Sequence, residues 1–312
     1  MSTPFEIDNF QDYLETIRDE LPSGRIYFRG QAKLASAGFP LRPSLGRYDH
    51  LRKLAPYDRD RIEQEVLGVF TNHLHTYVHH LPRNDWEALA IAQHHGLPTR
   101  FMDWTTNPLV ALYFAARKTE MDDNDKPLNS AVYVLTSEPT RFSDLTRPAE
   151  PTIKPVPDTA TVAPPDMACT TMVSPLAGYD AFGVAMAEGS EEPEQSSSSS
   201  ESTPESEFDF EMYAEKQTRT ISPFDIRQNV IYDPPHVSPR IRAQDGVLLA
   251  CHQPLEQLSE NDYLEIMIKH EAHDDIRHRL DQYGVFDKQL FPDLDGIAKW
   301  LKYRVYETQG SI

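Results

Sequence analysis

The residue types best suited to chemistry are gathered in QHHGLPTRFMDWTT, Gln93 to Thr106. This stretch carries Gln93, His94, His95, Arg100, Asp103, Thr105 and Thr106, and the apolar run NPLVALYFAA follows at once. A guanidinium fork grips phosphate or carboxylate oxygens, a carboxylate steadies developing positive charge, and an imidazole changes charge near neutral pH. The start of the apolar run is a further candidate anion site, because a helix N-terminus presents unpaired backbone N–H groups. A second arginine stands in YFRGQ: Arg29 is followed by Gly30, where backbone can approach a ligand closely. Tyr27 and Phe28 there point to opposite faces of a strand, so one of them is placed to stack on a ligand. Each feature also has a plain structural reading. Arg100 and Asp103 can pair with each other or with loop backbone, Thr106 or Asn107 can simply cap a helix, and Arg29 can form an ordinary salt bridge.

Other chemistries find less support. His75 and His79 are spaced i, i+4, as metal-binding pairs are, but no third ligand is identifiable, and a hydrated helix face is the default. Asp293 and Asp295 in FPDLDG are too few oxygens for a calcium loop, and Asp293 suits the N-cap of a following helix. No metal site is therefore expected. Neither G-x-S-x-G nor a Walker-type loop occurs, and Cys169 and Cys251 have no recognisable base partner. The serine or cysteine hydrolase and P-loop classes drop out.

These residues need elements to position them. RIYFRG (25–30) alternates and ends at glycine, as a strand does. Residues 58–78 place Ile62, Val66, Val69, Phe70, Leu74 and Val78 at helical spacing, and 85–95 continue in that style. Gly96-Leu97-Pro98 stops the second helix, TRFMDW reads as a short strand, and Thr106 or Asn107 caps a buried helix with Pro108 at its first position. AVYVL (131–135), GVLLACH (246–252) and YLEIMIK (263–269) read as strands, and a helix ends at Gly284.

Between these strands the composition shifts. Residues 137–221 contain many prolines, the run Ser196 to Ser200 and an acidic stretch without lysine or arginine, which cannot bury enough apolar area to offset ordering entropy. This is expected to be a disordered insert, a solvated spacer by default, with a phosphorylatable arm or an arm for a basic partner as the functional alternative. The expected fold class is one α+β domain with a helical N-terminal part, formed by 1–136 and 222–312 and interrupted by 137–221.

Bulk properties bound the rest. The 312 residues, 39% hydrophobic, suffice for a sizeable core, and no stretch reaches the ~20 apolar residues of a membrane span. The start lacks the features of a secretory signal, and two cysteines give no disulfide framework, so a reducing, cytoplasmic setting is expected. A net charge of −19 argues against a broad nucleic-acid-binding face. It does not argue against a local arginine clamp, because the field is screened over ~8 Å.

Three blocks carry a resemblance to the FRG-domain family, named for Phe-Arg-Gly: YFRGQ (27–31), LAIAQHHGLPTRFMDWTTNPLVALYFAAR (89–117), and IRAQDGVLLA (241–250) with QLFPDLDGIAKWL (289–301). The layout is also similar, more weakly, to arginine-type ADP-ribosyltransferases. That likeness implies NAD as cofactor and transfer of a single ADP-ribose to a macromolecular target not identified by the sequence. It places Arg29 on the diphosphate and Thr105 or Thr106 in the pocket, with Tyr27, Gly30, Gln93, His94 and Arg100 around the nucleotide. Where a catalytic glutamate would stand, RAQDGVLL offers Gln244 and Asp245, and no Glu-x-Glu occurs; Asp103, Asp245 and Asp293 are the candidate carboxylates. The alternative is a non-catalytic module that uses the same pocket to bind a nucleotide or peptide.

Overall fold

In chain order the elements are β1 (Phe5–Ile7), α1 (Phe10–Glu20), β2 (Phe28–Gln31), α2 (Asp49–Arg52), α3 (Pro56–Tyr77), α4 (Asp85–His94), β3 (Phe101–Thr105), α5 (Pro108–Ala116), β4 (Ser130–Leu135), β5 (Thr140–Arg141), α6 (Phe142–Leu145), β6 (Val230–Tyr232), α7 (Pro239–Ala243), β7 (Gly246–Ala250), β8 (Tyr263–Ile268), α8 (His273–Gln282), α9 (Asp287–Leu290) and α10 (Leu294–Leu301). They come from a computed structural model that describes residues 5–22, 24–78, 81–145, 221–234 and 239–308. His79, one of the spaced histidines, lies outside them, as do residues 146–220 of the expected insert.

One mixed sheet collects the strands in the order β1-β8-β4-β2-β3-β7-β6-β5. Strands from both sides of the insert alternate in it: β4 pairs antiparallel with β8, and β3 with β7 from Phe101 opposite Ala250 to Thr105 opposite Gly246. The α+β class follows. The expected insert opened at 137, but Thr140 and Arg141 extend the sheet edge beside Val230 and Ile231, and Phe142 and Leu145 pack with Trp86 and Tyr232. Two residues are too few to show an alternating pattern.

Strand alternation divides the core into two faces. Phe28, Val132, Val134, Ile266 and Ile268 lie under α1, α5 and α8. On the other face Tyr27, Met102, Trp104, Tyr133 and Leu249 pack together. Farther along the first face, Phe101, Leu248 and Ala250 meet Trp86 and Leu89 of α4. Tyr27 is thus a core residue at 7% exposure rather than a stacking platform.

Two local features set the geometry of the centre. Helix α5 is apolar nearly all round and lies directly on β2, so closely that a Cβ on Gly30 would stand 1.9 Å from the Ala111 carbonyl oxygen. The close approach that Gly30 permits on its Cα side is that of a helix. Helix α3 turns Glu63, Leu67 and Leu74 inward and leaves Val66 and Val69 at 42% and 61% exposure. Its buried face is thus rotated from the expected stripe, because Glu63 is drawn inward by Arg100.

Candidate functional site

β2 and β3 meet at Phe28 opposite Thr105 and then diverge, leaving a fork at the middle of the sheet. Arg29 fills its mouth. Its Nη1 donates to the Asp103 carbonyl oxygen at 2.5 Å, while its Nε is buried without a hydrogen-bond partner among the described residues. Burial lowers the Arg29 guanidinium from its ordinary value, Asp103 pulls it upward, and the cation of Arg47 lowers it further. A carboxylate shares the fork: Asp103 Oδ1 accepts from Gln93 Nε2 at 2.8 Å, and Gln93 Oε1 in turn accepts from the Thr99 hydroxyl.

A cavity of about 270 Å³ opens here, lined by Arg29, Gln93, His94, Asp103, Thr105 and Gln244, with Phe28, Phe114, Ile241 and Val247 as apolar walls. Apolar walls with a few converging polar groups are the usual make-up of a small-molecule site. Burial, and then His95 and Arg240, lowers His94 below its ordinary value against an opposing pull from Asp103. A second cavity of about 480 Å³ shares Arg29, Gly30, Gln93, Asp103 and Phe114 with the first and adds Arg42, Arg47 and Arg117. The sequence reading missed these three, which stand singly along the chain and converge only in the fold.

The structure thus brings together Arg29, Gly30, Gln93, His94, Asp103, Thr105 and Gln244 from the expected set. Other expectations change. Thr105 Oγ1 donates to the Gln244 carbonyl oxygen at 2.7 Å and accepts from Asn107 N–H at 3.0 Å, so its hydroxyl braces the wall. The Gln244 amide donates to the Leu290 carbonyl oxygen at 3.0 Å. Thr106 is outside the cavity lining, and its N–H donates to the Asp245 carbonyl oxygen.

The expected anion site at the start of α5 is closed: Asn107 Oδ1 accepts from Leu109 N–H at 3.0 Å and Val110 N–H at 3.4 Å, and Pro108 has no N–H. Among the other candidate carboxylates, Asp245 accepts from Asn107 Nδ2 at 3.2 Å, and Asp293 caps α10 by accepting from Gly296 N–H at 2.7 Å. Asp103 is the candidate carboxylate that lines the cavity with Arg29.

Arg100 stands apart from the cavity. At 1% exposure, it donates through Nε and Nη2 to Glu63 at 2.9 and 2.7 Å, to Asp60 at 2.7 Å and to the Pro223 carbonyl oxygen at 3.0 Å, with its guanidinium over Phe224. Burial acts to lower this guanidinium, but Glu63 and Asp60 outweigh it and hold it above its ordinary value. On the partner side, burial raises the Glu63 carboxyl against the pull of Arg100. The sequence signal for Glu63 was a charged residue four positions before Leu67 on α3. Cys251 is buried, which pushes its thiol up to about 12 and leaves it unreactive.

Among the described residues no helix is long and apolar enough to cross a membrane. No curated protein and no solved structure matches the chain. A family model does match, over residues 24–124, a span that holds β2, β3 and α5 with Arg29, Gln93, His94, Asp103 and Thr105, but not the C-terminal blocks of the resemblance. The fork is therefore built largely from the matched span, and the chain carries an FRG domain.

Proposed function

We propose that the fork binds NAD and that this domain is an ADP-ribosyltransferase-like enzyme, transferring a single ADP-ribose to a macromolecule. The observation that carries the reading is Arg29: a partly buried guanidinium with an unpartnered Nε, set at the junction of two cavities beside Asp103. Arg29 would hold the diphosphate, and Phe28 and Phe114 would flank a ring. When the nicotinamide glycosidic bond breaks, its electron pair leaves with nicotinamide and the ribose carbon becomes cationic. Asp103 is the carboxylate placed to stabilise that charge, and the target's nucleophile closes the new bond as it loses its proton.

The second reading is a non-catalytic nucleotide-binding module. It is favoured by the structural engagement of Gln244 and Asp245, which stand where the transferases place their glutamate. The two readings separate in one experiment: calorimetry with NAD, together with nicotinamide release and label transfer from labelled NAD in a cell extract. Arg29→Gln is expected to weaken NAD binding at least about tenfold, the worth of a charge-assisted hydrogen bond. Asp103→Asn is expected to retain binding and lose nicotinamide release. Binding without release by the unaltered protein selects the module, and absence of NAD binding overturns both nucleotide assignments.

A further inference from the structure

We infer that the arginine-walled cavity beside the fork is a second anion site that takes a phosphomonoester dianion. Arg42, Arg47 and Arg117 converge on it with Arg29, and none of the four makes an ion pair among the described residues. In a chain with 49 acidic and 30 basic residues, this cavity reverses the balance, with four arginines on its walls against two carboxylates, Asp103 and Glu120. Glu120, on the same wall, is engaged by Lys118 at 3.1 Å.

The guanidiniums are also held in place. Arg47 lies 4.6 Å over the Phe39 ring, and Arg117 lies 5.4 Å over Phe114. Arg42 donates to the Gly46 carbonyl oxygen at 3.3 Å, while its Nε is buried without a partner among the described residues. Gly46 fits closely here, since a Cβ on it would stand 2.6 Å from the Arg42 side chain and from the Pro254 carbonyl oxygen. Stacked, preset guanidiniums lose little freedom when they grip phosphate oxygens.

Charge matching selects the ligand class. A diphosphate held by Arg29 leaves three arginines, and a phosphomonoester adds close to two negative charges at pH 7 with three strong acceptors. The fork would then bind the phosphorylated dinucleotide, NADP, more tightly than NAD. That identification rests on the nucleotide reading of the fork, whereas the anion site itself does not.

Arg47 and Arg117 are exposed, so Arg47→Gln with Arg117→Gln leaves the core untouched. The first probe is inorganic phosphate, followed by calorimetry on the full chain. The unaltered protein is expected to bind it, and the double variant to bind about tenfold or more weakly. The second probe compares NADP with NAD: about tenfold tighter binding of NADP is expected, falling to parity in the double variant, with NAD affinity kept within about twofold. Failure to bind phosphate, or equal phosphate binding by the double variant, overturns the anion site even where NAD binds through Arg29. Phosphate binding lost in the double variant with neither nucleotide bound upholds the anion site and overturns the nucleotide reading. Equal affinities for NADP and NAD overturn the NADP identification and leave the anion site to the phosphate measurement.

Discussion

His273 is fully buried between two hydroxyls, with Nδ1 2.8 Å from Thr119 Oγ1 and Nε2 2.8 Å from Ser130 Oγ. Burial, ahead of the neighbouring Arg277 and His270, lowers its pKa to about 4 from the ordinary 6.5. Between those values the unfolded chain binds the proton that the folded chain refuses. The stability due to neutral His273 is therefore present above pH 6.5 and lost as pH falls toward about 4. Urea midpoints measured across that range should fall with acidification, and His273→Gln should flatten this part of the profile. Arg100 supplies a second prediction. Arg100→Met leaves Glu63 buried and unpaired and should cost about 3–5 kcal/mol in urea unfolding, while adding Glu63→Met should restore much of the loss. Arg100 drew notice in the sequence as a possible ligand contact, but its true partner lies 37 residues away on another element. That pairing depends on how α3 packs against β3, which no local pattern encodes.

At the scale of elements, the signals that could be read were those that chemistry fixes locally. Asn107 and Pro108 start α5, Asp293 starts α10, and Gly96 and Gly284 follow helix ends with φ of 86° and 80°. Loss of the cap in Asn107→Ala should cost about 1 kcal/mol and also reopen the α5 N-terminus. Gly30 was legible as a glycine with a purpose, but its purpose is set by α5, which lies some eighty residues on by the count of the sequence. A methyl group there meets the Ala111 carbonyl oxygen and Ala115 N–H, so Gly30→Ala should destabilise by about 3 kcal/mol, read from the urea midpoint. The short strands β1, β5 and β6 were invisible beforehand because two or three residues show no period and are defined by their neighbours. The site followed the same rule. Arg29, Gln93, His94 and Asp103 stand in two compact motifs and were found; Arg42, Arg47 and Arg117 are assembled by the fold and were not.

For the whole molecule, the flanks of the long insert return to one place. Phe142 packs 5.0 Å from the Trp86 ring, and Trp86 Nε1 donates to the Ile221 carbonyl oxygen at 2.8 Å. Replacing residues 149–217 with a short Gly/Ser linker should therefore leave the thermal midpoint of the remaining unit within a few degrees. The sheet itself falls into halves, β1-β8-β4-β2 and β3-β7-β6-β5, joined where Phe28 faces Thr105 and spread apart beyond it. Asp103 turns its carbonyl toward that opening, where Arg29 takes it, and antiparallel geometry points its N–H the same way, past the end of the ladder. An amide without a ladder partner exchanges its hydrogen with water quickly. Deuterium uptake at Asp103 should then run fast in the free protein and slow when the opening is filled, which gives the fork an isotopic clock that runs whatever the occupant is.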